Sequence, residues 1–356
     1  MNILQILSTL VSGGAEHFVF ELSNELVSKG HTVTILTLYD VPDDNPLKRG
    51  LDGRIKVCSL HKKKGLDLSI FISLCRFIKR GRFDVVHGHV AAIKYMTLAP
   101  FICRKVRFVA TIHSDARFDA ETRFDRWSRK LMFGLGSCAP VTVSEQSELS
   151  FEAFYGRKAE MIPNGVSPYV QKEHLNLRDN DSQIIFLHPA ECRPVKNQEL
   201  LLKAFNLLLD GGVDAKLVWV GDNVASKDIF DSLAPLMRRN VSYLGVVDGV
   251  RDYMQASDAV CLSSKLEGMP MTVIEAFSVG RPVLCTPVGG CLNLIKQGEN
   301  GMLSDDLTVD AYYRMLSAFA ALSISERNLM AGKAFESYKD YTMERCAQHY
   351  LELYAK

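Results

Sequence analysis

Residues 258–285 read DAVCLSSKLEGMPMTVIEAFSVGRPVLC, and this stretch decides the fold. An apolar run at 259–262 leads into a polar loop, then into helical spacing at 272–279, and then into a second apolar run at 282–285. The order strand, helix, strand predicts a βαβ unit, whose two strands lie parallel in one sheet. Pro270 suits the start of this helix, because the first turn needs no amide hydrogen from it.

The same alternation extends over most of the chain. Its apolar runs show no polar alternation, as expected of strands that helices cover on both faces of a parallel sheet. Predicted strands lie at 2–10, 31–38, 55–60, 84–87, 107–112, 140–143, 184–188, 216–220, 241–244, 259–262 and 282–285, and predicted helices include 15–29, 198–209, 225–238 and 272–279. A polar tract at 171–183 separates two sets of units. We therefore expect an α/β fold of two Rossmann-like, doubly wound domains with a ligand cleft between them.

Composition limits the class of protein. The chain has 356 residues, which suits two domains, and its 47% apolar and 23% charged content excludes a disordered or fibrous protein. The net charge of +1 gives no indication of nucleic-acid binding, but residues 1–170 carry 23 basic and 17 acidic side chains. Nine cysteines without a CxxC pair are typical of reduced thiols. No uncharged run is long enough to span a membrane, so we expect a cytoplasmic protein.

Two glutamates flank the start of the predicted helix at 272–279. Glu267 lies in the loop before it, and Glu275 lies in its first turns. The amide groups and the positive end of such a helix favour a phosphate, while the carboxylates accept hydrogen bonds from sugar and ribose hydroxyls. The alternative interpretation is a solvated loop glutamate and a second glutamate on a polar helix face.

The spacing of these glutamates resembles the donor-site motif of the retaining glycosyltransferases of family 4, whose architecture is termed GT-B. Other segments are similar to landmarks of that family, in the same order: NILQILSTLVSGGAE at 2–16, VATIHSD at 109–115, VTVSE at 141–145, IPNGV at 162–166, HPAECRPVKNQELLLKAF at 188–205 and a last helix at 341–354. The resemblance implies an N-terminal domain of residues 1–168, joined by 341–356, and a nucleotide-sugar domain of residues 183–340.

The resemblance also implies the reaction. A sugar would pass from a nucleoside-diphosphate sugar, most commonly a UDP-sugar, to a hydroxyl of a glycan or lipid-linked acceptor, with retained anomeric configuration. No metal and no cofactor would be required, and the product would serve polysaccharide or lipopolysaccharide biosynthesis. The sequence leaves two alternatives open, a nucleotide-sugar epimerase of similar fold and a non-catalytic nucleotide-binding scaffold.

Site residues follow from the same resemblance. Glu267 and His113 would act at the reacting sugar, and Glu275 would hold the ribose. The loop LGVVDGV at 244–250 would bind the base through its backbone at Val246 and Val247. The donor diphosphate would meet a larger group, namely Arg193, Lys196, Gly13, Gly14, Gly268, Met269, Met271 and Thr272.

Three features of the sequence bear on these assignments. Many relatives carry an arginine five residues before the lysine, where this chain has Glu191, so either Arg193 from a shifted position or a different basic residue would take its place. His87 is expected to be structural, and the role of His89 stays open. Basic clusters in the N-terminal half predict peripheral contact with an anionic membrane. The alternative is that they form a solvated face. The clusters are Lys62 to Lys64, then Arg76, Lys79, Arg80 and Arg82, and then Arg123, Arg126, Arg129 and Lys130 beside Phe124 and Trp127.

Overall fold

The computed structural model describes residues 1–10, 13–65, 67–120, 122–221 and 224–356, without the side chains of 224–226. The chain forms two compact units, Met1–Ser167 with Tyr341–Lys356, and Pro168–Asp340. The second unit thus includes the polar tract at 171–183, which the sequence analysis placed between the two sets of units. The hydroxyl of Tyr169 and the amide of Lys172 both donate to the carboxylate of Asp252, which holds this segment to its own unit.

The described part of the first unit contains a parallel sheet in the order β3-β2-β1-β4-β5-β6-β7. Its strands are β1 Asn2–Leu7, β2 Thr32–Thr37, β3 Lys56–Ser59, β4 Val85–His89, β5 Arg107–Ile112, β6 Ala139–Thr142 and β7 Glu160–Met161. Its helices are α1 Gly14–Ser28, α2 Pro46–Arg49, α3 Ser69–Gly81, α4 Ala99–Ile102, α5 Ala116–Asp119, α6 Arg123–Gly134 and α7 Glu145–Tyr155, with a 3₁₀ helix at Val90–Met96.

The first strand ends earlier than the sequence predicts. The apolar run at 2–10 suggests one strand, whereas β1 ends at Leu7. Val11 and Ser12, the start of the predicted glycine turn, lie outside the described residues. The helix that follows matches the prediction closely, because Phe18, Leu22 and Leu26 recur at helical spacing and are fully buried.

The second unit also contains a parallel sheet in its described residues, in the order β10-β9-β8-β11-β12-β13. The strands are β8 Ile184–Pro189, β9 Ala215–Val220, β10 Val241–Gly245, β11 Ala259–Leu262, β12 Val283–Cys285 and β13 Gly301–Leu303. The helices are α8 Gln198–Asp210, α9 Val224–Asp231, α10 Pro235–Asn240, α11 Val250–Ala256, α12 Met271–Ser278, α13 Cys291–Leu294, α14 Val309–Ala321 and α15 Ile324–Tyr338.

The prediction of one continuous helix over 225–238 is wrong, because two helices, α9 and α10, cover that range. The break comes at Pro235, which has no amide hydrogen and disfavours helical geometry in the residue before it. Ala234 accordingly has an extended ψ of 153°.

The C-terminal segment completes the first unit. After a 3₁₀ turn at Lys339–Tyr341, helix α16 spans Met343–Ala355 and packs against α1. Val166 donates to Tyr341 O at 3.0 Å, and Met343 donates to Val166 O at 2.9 Å. Any Cβ on Gly165 would overlap the carbonyl oxygen of Thr342, so the motif IPNGV carries glycine where the returning chain crosses it.

Candidate functional site

The second sheet changes winding direction at β8 and β11. From β8 the chain runs outward through β9 and β10, then returns to β11 on the other side of β8. The loops that leave β8 and β11 therefore diverge at the carboxyl edge of the sheet, which is where such sheets bind ligands. Two hydrogen bonds of 2.8 Å tie these loops together, from Lys265 N to Val195 O and from Ser263 Oγ to Lys196 O.

This arrangement brings Lys196 and Glu267 into contact. Lys196 Nζ lies 2.7 Å from Glu267 Oε1, and Ser264 Oγ donates to the same oxygen at 2.5 Å. The side chains are 26% and 11% exposed, so the pair is shielded from bulk water but still open to a ligand. A cation and a carboxylate thus stand together at the switch point of the sheet.

Two glycines that the sequence analysis did not single out fix the position of Glu267. A Cβ on Gly289 would overlap the carbonyl oxygen of Glu267, and Gly289 has a φ of +49°. The amide of Gly290 donates to Gly268 O at 2.7 Å. The dipeptide at the end of TPVGG was therefore a usable signal of a close backbone contact.

Helix α12 begins next to this pair. Pro270 precedes its first residue, Met271, and Glu275 lies one turn further on, where it is 8% exposed. Met269 and Met271 are 8% and 6% exposed, so their side chains pack inward and only their backbone can serve a ligand. An α-helix leaves its first amide groups without intrahelical acceptors, which suits an anion here.

Arg193 lies on the same loop as Lys196 but has a different partner. Its guanidinium is 3.2 Å from the carboxylate of Glu191, and the two side chains are 60% and 38% exposed. Lys196 N donates to Arg193 O at 2.8 Å, which closes the turn between them. Gly221, another residue that the sequence analysis did not identify, supports this loop: with a φ of +118°, it packs directly on the Ala190 carbonyl.

The predicted base loop follows β10. Strand β10 lies two positions from β8 in the sheet, and its carboxyl end is at the same edge. Val246 is 73% exposed, and Val247 is partly exposed. The loop is accessible at the edge where Lys196 and Glu267 lie, but two strands away from them.

In the first unit, Gly13 and Gly14 follow β1 at the equivalent edge. Gly13 has an extended φ of −152° and caps α1. Among the described residues, a Cβ on Gly14 would meet no atom within 4 Å, and the nearest atoms to one on Gly13 belong to the flexible side chain of Glu16. The described fold itself therefore does not require glycine at position 14, and the backbone there is open to a ligand.

His113 lies directly after β5 and forms a hydrogen bond with a second histidine. Its Nε2 is 3.0 Å from Nδ1 of His89, whose own Nε2 is 2.8 Å from Oε1 of Gln5. Burial lowers the pKa of His113 to about 4 and lowers the pKa of His89 well below its usual value. The role of His89, left open by the sequence, is thus contact with His113, and Gln5 is a partner that sequence reasoning missed.

Two members of the predicted basic surface are buried. Arg129 is fully buried and bonds to Asp119 and to the carbonyl oxygen of Val90, so its inclusion in a membrane-facing cluster is wrong. Lys62 is 8% exposed and donates to the hydroxyl of Tyr39 at 3.0 Å. Other members are exposed, among them Lys63, Lys64, Arg76, Lys79, Arg80, Arg82, Arg123, Arg126 and Lys130. Within the described residues, every helix is too short or too polar to cross a bilayer.

Comparison with protein families gives two consecutive matches. The profile described as Glycosyltransferase Family 4 matches residues 12–169, and that described as Glycosyl transferases group 1 matches residues 170–333. Together they include His113 in the first unit and Lys196, Glu267 and Glu275 in the second.

Individual proteins are similar over most of their length. The UDP-Gal:alpha-D-GlcNAc-diphosphoundecaprenol alpha-1,3-galactosyltransferase of Escherichia coli is 25% identical over 272 residues, which is 70% of each chain. The GalNAc-alpha-(1->4)-GalNAc-alpha-(1->3)-diNAcBac-PP-undecaprenol alpha-1,4-N-acetyl-D-galactosaminyltransferase of Campylobacter jejuni is 22% identical over 373 residues, 100% of this chain and 99% of that one. A crystal structure of HepE from Anabaena in complex with UDP superposes with a TM-score of 0.81, 18% identity and full coverage of both chains.

Proposed function

Because the chain belongs to glycosyltransferase family 4 and is thus a glycosyltransferase of GT-B fold, we propose that it transfers a sugar from a UDP-sugar to a glycan or lipid-linked hydroxyl with retained anomeric configuration. The observation that carries this proposal is the contact of Lys196 with Glu267 beside the start of α12. One group suits a diphosphate and the other a sugar hydroxyl, and both lie at the switch point of the second sheet.

The diphosphate is held by three sources of positive charge. Lys196 supplies a compact ammonium group, α12 supplies its amide end, and Arg193 supplies a planar guanidinium that can leave the exposed carboxylate of Glu191. Backbone groups of Gly268, Met269, Met271 and Thr272 line the same position. Because charge develops on the leaving diphosphate in the transition state, these groups accelerate transfer without a metal ion.

The carboxylates hold the two sugars of the donor. Glu267, which already accepts hydrogen bonds from Lys196 and Ser264, accepts further ones from hydroxyls of the transferred sugar. Glu275, nearly buried one turn into α12, accepts the ribose hydroxyls. The exposed backbone at Val246 and Val247 binds the uracil edge, and the open backbone at Gly13 and Gly14 of the first unit is accessible to the acceptor.

The relatives guide the choice of substrates. UDP is named in the HepE complex, and the E. coli and C. jejuni relatives act on undecaprenol-linked acceptors by their names. We propose that this enzyme works in the cytoplasm and extends a lipid-linked saccharide for a cell-surface polysaccharide or lipopolysaccharide, and the substrates named for these relatives support the lipid-linked acceptor.

A donor-binding experiment tests the central assignment. Thermal shifts are measured with UDP-, GDP- and ADP-sugars, because a donor at 100 times its Kd stabilises the fold by about 2.7 kcal/mol. We expect a UDP-sugar to give the largest shift, and Glu275→Gln to remove it. The matched control is Glu199→Gln on α8, whose carboxylate is 76% exposed. Equal shifts in the Glu275 variant and the wild type would contradict the ribose assignment.

Product analysis separates the chemical alternatives. Incubation of the selected donor without an acceptor should leave the sugar nucleotide unchanged, whereas an epimerase would convert it. With the acceptor present, proton NMR of the product should show the anomeric configuration of the donor. Activity should persist in excess EDTA, and its loss with recovery on added Mg²⁺ would contradict metal independence.

We also propose that the first unit docks on an anionic membrane. Helix α3 exposes Arg76, Lys79 and Arg80, while Leu68 and Ile72 at its start are 67% and 53% exposed. Cationic and apolar side chains together suit the headgroup region of a bilayer. Replacing the three cations by glutamine should abolish sedimentation with phosphatidylglycerol vesicles at low salt. The same change at Lys203, Arg238 and Arg239 of the second unit should leave it intact, and equal binding of both variants would refute this surface.

A further inference from the structure

A buried polar layer lies on one face of the first sheet, beneath α1 and α16. In the sheet register Gln5 stands opposite His87, and His89 stands opposite Thr111. Side chains two residues apart on a strand share a face, so His87 and His89 point the same way. His113 continues that face just beyond β5. All but His113 are fully buried, and His113 is partly exposed.

The layer contains two chains of hydrogen bonds, and Tyr354 of the second also interacts with the side chain of Gln5 in the first. The first runs from Gln5 Oε1 to His89 Nε2 at 2.8 Å, and from His89 Nδ1 to His113 Nε2 at 3.0 Å. The second does not include His113; it links Tyr354, His87, Thr111 and Tyr350, with distances of 2.7, 2.7 and 3.0 Å. The first chain alone leads from the core to the residue at the edge of the sheet.

An apolar ring covers the first chain. The ring centroid of Phe18, from α1, lies 5.4 Å from that of His113 and 6.1 Å from that of His89. Phe18 is fully buried and packs against both imidazoles, of which that of His89 is fully buried and that of His113 is partly exposed. Burial in this layer lowers the pKa of both histidines, and each ring is therefore neutral near pH 7.

Neutral rings and one amide oxygen fix the positions of the protons. The carbonyl oxygen of Gln5 can only accept, so Nε2 of His89 carries a hydrogen and donates to it. A neutral His89 then has a bare Nδ1, which must accept from Nε2–H of His113. His113 is in turn left with a bare Nδ1, and that nitrogen has no hydrogen-bond partner among the described residues.

We propose that Gln5 and His89 are positioning residues that hold His113 as the Nε2–H tautomer, so that its Nδ1 accepts a hydrogen bond from a sugar hydroxyl. The inference rests on the proposed function only in that His113 contacts substrate. The opposite tautomer would present an N–H group at this atom and would favour a hydroxyl oxygen as its partner instead.

The tautomer is measured directly, whether or not activity is known. Imidazole ¹⁵N NMR of histidine-labelled protein should show His113 protonated at Nε2 and bare at Nδ1. Gln5→Leu removes the acceptor at the core end, and His113 should then populate both tautomers. A wild-type spectrum with the proton on Nδ1, or a tautomer unaffected by both Gln5→Leu and His89→Leu, overturns the proposal.

Kinetics separate positioning from packing. Gln5→Leu should lower kcat about tenfold, the equivalent of one hydrogen bond, with KM for the donor unchanged. Should that variant fail to fold, His89→Asn and His89→Leu serve instead, because asparagine keeps an acceptor and a donor while leucine has neither. Only the asparagine variant should retain the tautomer and most of kcat.

A control disturbs the same layer without touching His113. Thr111→Val removes the hydroxyl of the second chain, and kcat should be unchanged. An equal fall in kcat for Thr111→Val and Gln5→Leu would show a packing effect and refute the positioning role. A wild-type protein without any transfer activity would instead refute the proposed function, while the NMR result would still decide the tautomer.

Discussion

Removing the charge of Lys196 should separate its role in the fold from its role in catalysis. In Lys196→Met the carboxylate of Glu267, 11% exposed, keeps Ser264 as a partner but loses the ammonium group 2.7 Å away. Breaking a fully buried pair costs about 3–5 kcal/mol, and because Lys196 is 26% exposed we expect about 1–3 kcal/mol. For a unit of this size that lowers Tm by about 3–9 °C.

The catalytic effect should be larger. Loss of one group that stabilises developing charge typically lowers kcat by about 10²–10³-fold. The assay compares transfer from the donor selected by thermal shift with unfolding followed by circular dichroism. Lys203→Met is the matched control, because Lys203 lies on α8, is 62% exposed and pairs with the exposed Glu199. The Lys203→Met variant should change neither kcat nor Tm.

The double variant Lys196→Met/Glu267→Gln decides between the two roles. It leaves no unpaired charge, so its Tm should rise above that of Lys196→Met. Its activity should stay at least as low as that of either single variant, because both donor contacts are lost. Recovery of transfer together with stability would refute our reasoning, since the pair would then be a structural ion pair only.

Three further outcomes follow from the geometry. Gly14→Ala should leave Tm unchanged, because a Cβ there meets no atom of the described residues within 4 Å. It should nevertheless impair transfer, because a ligand approaches that backbone, and unimpaired transfer would contradict the assignment. Gly289→Ala should lower both Tm and kcat, because its Cβ would overlap the carbonyl oxygen of Glu267 and because a φ of +49° is unfavourable for alanine. A Tm equal to that of the wild type would contradict this contact. Burial lowers the pKa values of His87, His89 and His113. Above about pH 6.5 these histidines are neutral in both the folded and the unfolded chain, so their titration should no longer change the stability of the first unit. As pH falls towards 4, the unfolded chain binds protons that the fold excludes, and stability should fall by up to about 1.4 kcal/mol per pH unit for each histidine; a Tm constant from pH 7 to 5 contradicts this.

Most of the fold was predictable, because each buried parallel strand has a continuous run of apolar residues in the sequence. The runs at 107–112 and 259–262 coincide with β5 and β11, and family comparison confirms the family to which the motifs pointed. Short edge strands leave no such pattern. Glu160–Met161 and Gly301–Leu303 were not predicted, since two or three residues carry too little hydrophobic periodicity.

Residue type within a motif was enough to select some of the candidate site residues. Lys196 and Glu267 were chosen separately from two motifs, and they are in contact. Partners set by sheet register could not be read from the sequence. Gln5 and His89 are 84 positions apart and meet only because β1 and β4 are neighbours. Likewise, whether Arg129 faces solvent depends on Asp119, not on the charge run around it.

The return of residues 341–356 to the first unit has a consequence for synthesis on the ribosome. Domains generally fold as they emerge, amino end first. Here Tyr350 and Tyr354, which close over His87 and Thr111, are made after every residue of the second unit. Until they leave the exit tunnel the imidazoles stay hydrated and can take up protons. The amino-terminal half therefore matures after the half that follows it in the chain.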